Sequence, residues 1–339
     1  MAIQAEAFAR AGLMGNPSDG YNGKTISFVI REFSANVHLV ASDQLEFLPN
    51  VQDRPQYHSI REFQDSIRHN GYYGAERLLK ATLIRFMAYC EKRSIELHDR
   101  NFTLNYGSTI PRRVGMAGSS ALITATMRCL LEFFEVDMPN PELADLIWRT
   151  ENEELGIASG LQDRVIQVYE GCVFMDFSKN IMNEHGHGQY EELDLDLLPN
   201  LFIAYRLGLT EGSEVFHSNI RERWEKGDQQ IIDAMEQFAG LAQEAYDLMQ
   251  AGAADEVGPL MDQNFELRKS LYTLSPGDLA MVEMARSVGA HCKFSGSGGA
   301  IVGTYEDEDM FEILDNEFLD IDVVLVKPTI EEDLEGEYY

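Results

Sequence analysis

The chain has no two cysteines at a spacing that suits a metal or a redox pair. Cys90, Cys129, Cys172 and Cys292 are scattered through 339 residues, with no C-x-x-C. That excludes a disulfide framework of the small secreted kind and points to buried free thiols in a reducing compartment. Long apolar runs are also missing: none approaches the ~20 residues that a helical membrane span needs. The opening MAIQAEAFARAG lacks a basic stretch followed by an apolar one, so no secretory signal is expected. Basic residues are scarce, with 27 Lys and Arg against 57 Asp and Glu and a net charge of −30. Such a chain repels nucleic acid and anionic membrane, so neither is an expected partner. A phosphorylated ligand held by a local cluster is still allowed. The expectation is a soluble, cytoplasmic protein.

One glycine is missing where it would matter. GYNGKT, residues 20–25, ends like the phosphate loop of many nucleotide-binding proteins, but the position six before Lys24 is Ser18. A Walker loop needs glycine there and a helix afterwards. Instead, Ile26-Ser27-Phe28-Val29-Ile30 comes next, an alternating β-branched run, so the segment reads as a turn entering a strand.

What is present divides into two halves of mixed α+β character. Residues 25–31 and 35–41 read as paired strands, 102–111 and 172–178 as further strands. Apolar spacing predicts helices over 73–91, 119–135 and 141–155, the last with Asn140 as N-cap and Gly156 beyond its end. Residues 179–192 are polar and turn-rich and mark a boundary. Beyond it come a strand at 200–208, helices over 217–250, 254–272 and 281–290, and strands over 298–305 and 322–328. The expected units are 1–185, 193–330 and an acidic tail, 331–339.

Three segments carry chemistry. In PRRVGMAGSSA, Pro111 ends a strand, Gly115 and Gly118 allow close backbone approach, and Ser119 and Ser120 precede a long apolar helix. A helix N-terminus of this kind binds anions, although Gly-Ser-Ser also serves as a simple cap. In TENEELGIASGLQDRVIQVYEG, Asp163 falls in a first helical turn, as a base, a cation ligand or a capping acid. Glu151 can share a divalent cation with a serine hydroxyl, or lie at the surface like Glu153 and Glu154. In CKFSGSGGAIVG, a Gly/Ser turn without a polar tract around it joins a helix to an apolar strand and reads as a functional turn. His185 and His187 lack further ligands at metal spacing.

ARAGLMGNPSD, PRRVGMAGSSA and KFSGSGGA, in this order, resemble the three signature motifs of the GHMP kinases. GNPSDGYNGKTIS, NGYYGAERLL, LGIASGLQDRVIQVYEG and VFMDFSK resemble the plant-type glucuronokinase branch of that family. The similarity runs from about Ala7 to about Lys327. It implies an N-terminal domain like ribosomal protein S5 domain 2, a ferredoxin-like C-terminal domain and an active site between them. It implies transfer of the ATP γ-phosphate to D-glucuronate, giving 1-phospho-D-glucuronate, with magnesium, in a route to UDP-glucuronate. By position, Pro111, Gly115, Met116, Ala117, Gly118, Ser119, Ser120 and Ala121 would wrap ATP. Ser120 and Glu151 would hold magnesium, Asp163 would be the base, and Arg10 would lie near it. Asn16, Asp19, Tyr21, Arg113 and the turn Ser295-Gly296-Ser297-Gly298 would meet the sugar. Asn16-Pro17 stands where galactokinases have Glu-His, which argues against galactose. Arg112, Arg113 and Arg164 are all candidates for the uronate carboxylate. A galacturonate or neutral-sugar kinase and a non-catalytic sugar sensor are the other readings.

Overall fold

The computed structural model describes residues 1–49, 74–206 and 214–331, without the side chains of 214–219. Its first sheet is organised by two long strands. Strand β1 (Ala2–Met14) pairs antiparallel with β2 (Lys24–Ser42). The expected hairpin of 25–31 with 35–41 does not exist: both are halves of β2, and each borders a different strand. The first half pairs with β5 (Cys172–Asp176) and the second with β4 (Asn101–Ser108). Short strands β3 (Glu46–Phe47) and β6 (Gln189–Glu192) close the edges.

Helices cover this sheet. They are α1 (Glu76–Lys92), α2 (Gly118–Phe134), α3 (Asn140–Arg149), α4 (Gln162–Tyr169) and the short α5 (Lys179–His185). Helix α2 is apolar on almost every side because it lies on β1 and β2 beneath its neighbours. The cap of α3 is Pro139 rather than Asn140, and α3 stops at Arg149. Residues Thr150–Glu154 widen into a π turn, and Gly156 adopts φ +67° just after it.

The second sheet has four antiparallel strands in the order β10-β7-β9-β8: β7 (Leu201–Arg206), β8 (His291–Phe294), β9 (Ala300–Thr304) and β10 (Val323–Val326). Around it lie α6 (Glu214–Glu225), α7 (Gln229–Gln250), α8 (Val257–Leu271), α9 (Pro276–Ser287) and α10 (Glu308–Leu319). The helix expected over 217–250 breaks between α6 and α7, where Gly227 takes φ +77°. The Gly/Ser turn does not follow a helix, as the sequence suggested. It is the connection of a β8–β9 hairpin, since His291–Phe294 is a strand. The expected acidic tail lies outside the described residues from 332 onward.

The halves share a core. Apolar residues of β7, α7, α8 and β9 belong to the same cluster as those of β1 and β2. Helix α7 packs on β2, and α8 touches β1. The end of β1, the start of α2 and the β8–β9 turn are thereby brought together.

Candidate active site

Arg10 is the centre of the site. Strand β1 slips register between Phe8 and Ala9, just before it, and such irregularities re-aim the next side chain. Arg10 is 5% exposed. Its Nε donates to Asp163 Oδ1 at 2.6 Å, and its Nη1 donates to the carbonyls of Gly115 at 2.7 Å and Ser295 at 2.9 Å. Those partners come from α4, the loop before α2 and the β8–β9 turn. All three motif regions therefore meet at one guanidinium.

The loop Pro111–Ala117 enters α2 through left-handed backbone at Gly115 (φ +68°) and Ala117 (φ +62°). A Cβ on Gly115 would come within 2.8 Å of the Ser297 amide, so glycine lets this loop lie against the β8–β9 turn. Ala117 O accepts from Ser120 Oγ at 3.1 Å and from Gln167 Nε2 at 3.0 Å. Gln167, fully buried on α4, thus pins the loop from below. Met116 and Ala121 are buried, Ser119 and Gly118 half-buried. The start of α2, with its backbone amides and macrodipole, has the chemistry that suits an anion.

Asp19 lies in a short helical turn, Ser18–Tyr21, and caps α4. Its Oδ2 accepts from the amides of Leu161 at 2.8 Å and Gln162 at 3.1 Å, and its Oδ1 from Gln162 Nε2 at 3.2 Å. Gly160 must lack a side chain, because a Cβ there would collide with the Asp19 carboxylate. Burial and then Asp163 push the Asp19 carboxyl above its ordinary range, against the pull of the two amides. Asp19 and Asp163 are thus both held at the α4 N-terminus, near enough for the two charges to repel. Asn16 is buried, its carbonyl held by Asn264 Nδ2 at 3.4 Å and its own Oδ1 without a hydrogen-bond partner.

Glu151 is buried, as a metal or structural group would be, and unlike the exposed Glu153 and Glu154. Its carboxylate forms an ion pair with Arg164, whose side chain is 3% exposed. Arg164 also donates to Gly160 O at 3.0 Å and lies 3.5 Å from Asp163. Burial, then repulsion from Arg10, pulls Arg164 down to about 9.

Three residues support the β8–β9 turn without a role assigned from the sequence: Lys293, inside the third motif, and Arg268 and Asp278, outside all of them. Lys293, 1% exposed, donates to Gly12 O at 2.5 Å and Phe294 O at 2.9 Å. Burial, Arg268 and Arg10 hold its amine well below the usual lysine value. Arg268 donates to Ser297 O at 3.3 Å, lying over the rings of Tyr272 and Phe294. Asp278 accepts from the amide of Gly299 at 3.1 Å. Together they fix both ends of the turn Ser295–Gly299, in which Gly298 takes φ +136° and Ser295 Oγ lacks a partner. A strand assignment for HCKF would have placed Lys293 beside this turn.

Tyr21 lies near the same end, edge-on to Trp224 with ring centres 5.6 Å apart. Burial raises its hydroxyl above the ordinary tyrosine value. Arg112 and Arg113 are exposed on the loop before α2. In chemical terms, the site combines a helix N-terminus suited to an anion, a carboxylate oriented by Arg10 and a set of buried polar side chains around the β8–β9 turn.

Comparison with known proteins identifies relatives in sequence and in fold. The family model "GHMP kinases N terminal domain" matches residues 77–171, and "GHMP kinases C terminal" matches residues 245–316. Glucuronokinase 1 of Arabidopsis thaliana is 42% identical over 306 residues, covering 89% of this chain and 84% of that protein. Probable glucuronokinase 2 of the same plant is 43% identical over 306 residues, covering 88% and 83%. Among solved structures, the mevalonate kinase of Methanococcus jannaschii superposes with TM-score 0.71 at 17% identity, covering 98% of this chain and 99% of that one. The Lactococcus lactis galactokinase complexed with galactose gives TM-score 0.74 at 15% identity, covering 97% and 93%.

Proposed function

This chain belongs to the GHMP kinase family, and from that premise we propose that it is a glucuronokinase. It transfers the γ-phosphate of ATP to the anomeric hydroxyl of D-glucuronate, releasing ADP and 1-phospho-D-glucuronate. The observation that carries this reading is the placement of Asp163. Its carboxylate is oriented by Arg10, and Arg10 in turn grips the backbone of both glycine-rich turns. A base is thereby fixed relative to the phosphate-binding loop, which is what phosphoryl transfer asks of a protein.

In this mechanism the loop from Pro111 to Ala121 cradles the ATP phosphates with the amides at the start of α2. Asp163 accepts the proton of the sugar hydroxyl as its oxygen bonds to the γ-phosphorus, and the bond from that phosphorus to the bridging oxygen of ADP breaks. Arg10 holds Asp163 in place, and its cation would oppose charge that develops on a phosphoryl group bound at the adjoining loop. Asn16, Asp19, Tyr21 and the turn Ser295–Gly298 surround the sugar.

Magnesium takes oxygen ligands. Ser120 spends its proton on Ala117 O, leaving lone pairs for a cation, and Glu151 is a buried carboxylate. Both donor types suit the ion, and we propose that Ser120 and Glu151 would hold it, Glu151 being paired with Arg164 in the free enzyme. When bound, magnesium offsets negative charge on the transferring phosphates. We further propose that the enzyme is cytoplasmic, with units at 1–185 and 193–330. Among the described residues, no helix is long and apolar enough to cross a membrane.

The test is ADP release from magnesium–ATP with glucuronate, galacturonate, glucose, galactose and mevalonate. Strong turnover with glucuronate alone is expected. Turnover with a neutral sugar instead overturns the substrate, and silence with all five favours a sugar sensor.

A further inference from the structure

A uronic acid brings a carboxylate that the site must recognise, and the arginines described so far are poorly placed for it. Arg10 is engaged by Asp163 and two carbonyls, and Arg164 is buried against Glu151. Arg268 is enclosed between Tyr272 and Phe294. Arg112 and Arg113 are exposed on the loop assigned to ATP.

A further arginine lies outside every motif. Arg221, on α6, crosses to the turn Ser18–Tyr21 and donates from Nη1 to Gly20 O at 2.8 Å. Its guanidinium lies over Tyr21, 4.8 Å from the ring centre, and 5.9 Å from that of Trp224. These contacts fix the plane of the fork. Among the described residues no carboxylate pairs with it, in a chain that carries 57 acids. Its other amino nitrogen lies 3.7 Å from the point a Cβ would occupy on Gly20, and Gly160 Cα lies 3.9 Å from that same point. Gly160 is three residues before Asp163, and Asp19 caps the helix between them. Arg221 therefore stands at the sugar end of the site, across the Asp19 turn from the base.

We propose that Arg221 is the specificity residue that binds the sugar-acid carboxylate, an inference that rests on the glucuronokinase reading. The geometry favours it on three grounds. The guanidinium is half-buried and held in one plane, so little side-chain freedom is lost on binding. Its planar fork matches a carboxylate in shape. The adjoining Tyr21 and Trp224 rings offer an apolar wall for the sugar face. The strongly acidic chain needs such an uncompensated cation to attract an anionic substrate.

The experiment compares wild type with Arg221→Met and Arg221→Lys, using glucuronate and glucose as acceptors, with ATP KM and Tm as controls. In Arg221→Met, KM for glucuronate is expected to rise about 10- to 100-fold, the worth of a charge-assisted hydrogen-bonded pair. ATP KM, Tm and any activity on glucose should stay close to wild type. Arg221→Lys should fall between the two, keeping the charge and losing the fork. If wild type phosphorylates glucuronate and Arg221→Met does so with KM within about twofold, the assignment of Arg221 is wrong and the kinase reading stands. If wild type ignores glucuronate and phosphorylates glucose, both are wrong.

Discussion

Arg10 on β1 and Asp163 on α4 are 153 residues apart and meet at 2.6 Å. Arg10 also reads the backbone of two loops, so the position of the base and the shape of the phosphate site depend on one side chain. Replacing Arg10 with Lys keeps a charge but not the fork. The expected outcome is a fall in kcat of about 100-fold, the usual result of misplacing a reacting group by an ångström. Steady-state kinetics with Tm as a control tests it, and an unchanged kcat would rule out the positioning role.

Asp163→Asn should preserve the fold, because an amide still accepts from Arg10. Turnover should drop by roughly two to four orders of magnitude, the typical contribution of a general base, while ATP still binds. Calorimetry with a non-hydrolysable ATP analogue, paired with an activity assay, separates the two effects. Near-normal turnover would remove Asp163 as the base.

Gly115→Ala places a Cβ 2.8 Å from Ser297 N on left-handed backbone. The left-handed penalty alone is about 1–2 kcal/mol, and the two turns must also separate. Tm should fall and KM for ATP should rise by more than KM for the sugar. A variant with wild-type ATP affinity would show that the turn does not shape the nucleotide site.

Lys293 gives a pH signature. Its folded pKa is depressed below the ordinary lysine value of 10.5. Between those two values the unfolded chain binds the extra proton, so stability rises as pH rises through that window. Below the folded pKa the buried charge costs a constant amount. In Lys293→Met this upward slope should disappear. Denaturant melts from neutral pH to about 10 provide the measurement, and identical slopes in the two proteins would contradict the depressed pKa.

Asp19→Ala should strip α4 of its cap. The amides of Leu161 and Gln162 would lose their acceptor, at a cost of roughly 1–3 kcal/mol for each buried donor left unsatisfied. Asp19→Asn keeps the oxygen that accepts from the two amides, loses the acceptor for Gln162 Nε2 and removes the raised carboxyl. Stability should fall further in the first than in the second, measured by chemical denaturation.

The glycine-rich turns are legible in the sequence because close approach and positive φ restrict those positions to small residues. Gly115 and Gly298 are where such turns are expected. Asp163 is legible because it comes after a small-residue turn and opens a helix. Strand β1 is not, although Ile3, Ala5, Ala7, Ala9, Ala11 and Leu13 alternate along it. Alanine is a weak strand former, and its small side chain hides the period. Lys293 is obscured for a related reason: HCKF is only four residues long, too short for a period to show. The Glu151–Arg164 pair is hidden because the sequence suits each side chain to a separate ligand. Arg221 is invisible because nothing in its helix sequence tells that it crosses to Gly20.

The grip of Arg10 on carbonyl oxygens has a further consequence. Carbonyls are common to every residue type, so the guanidinium is indifferent to which side chains stand at those two places, subject to steric fit. It is sensitive instead to loop length. Inserting one residue between Gly115 and α2, or between Phe294 and Gly299, shifts an acceptor by a whole peptide unit, which no rotamer change in Arg10 can match. Insertions and deletions in these two loops should therefore be tolerated far less than substitutions, and a deep scan of both kinds across the loops would reveal the asymmetry.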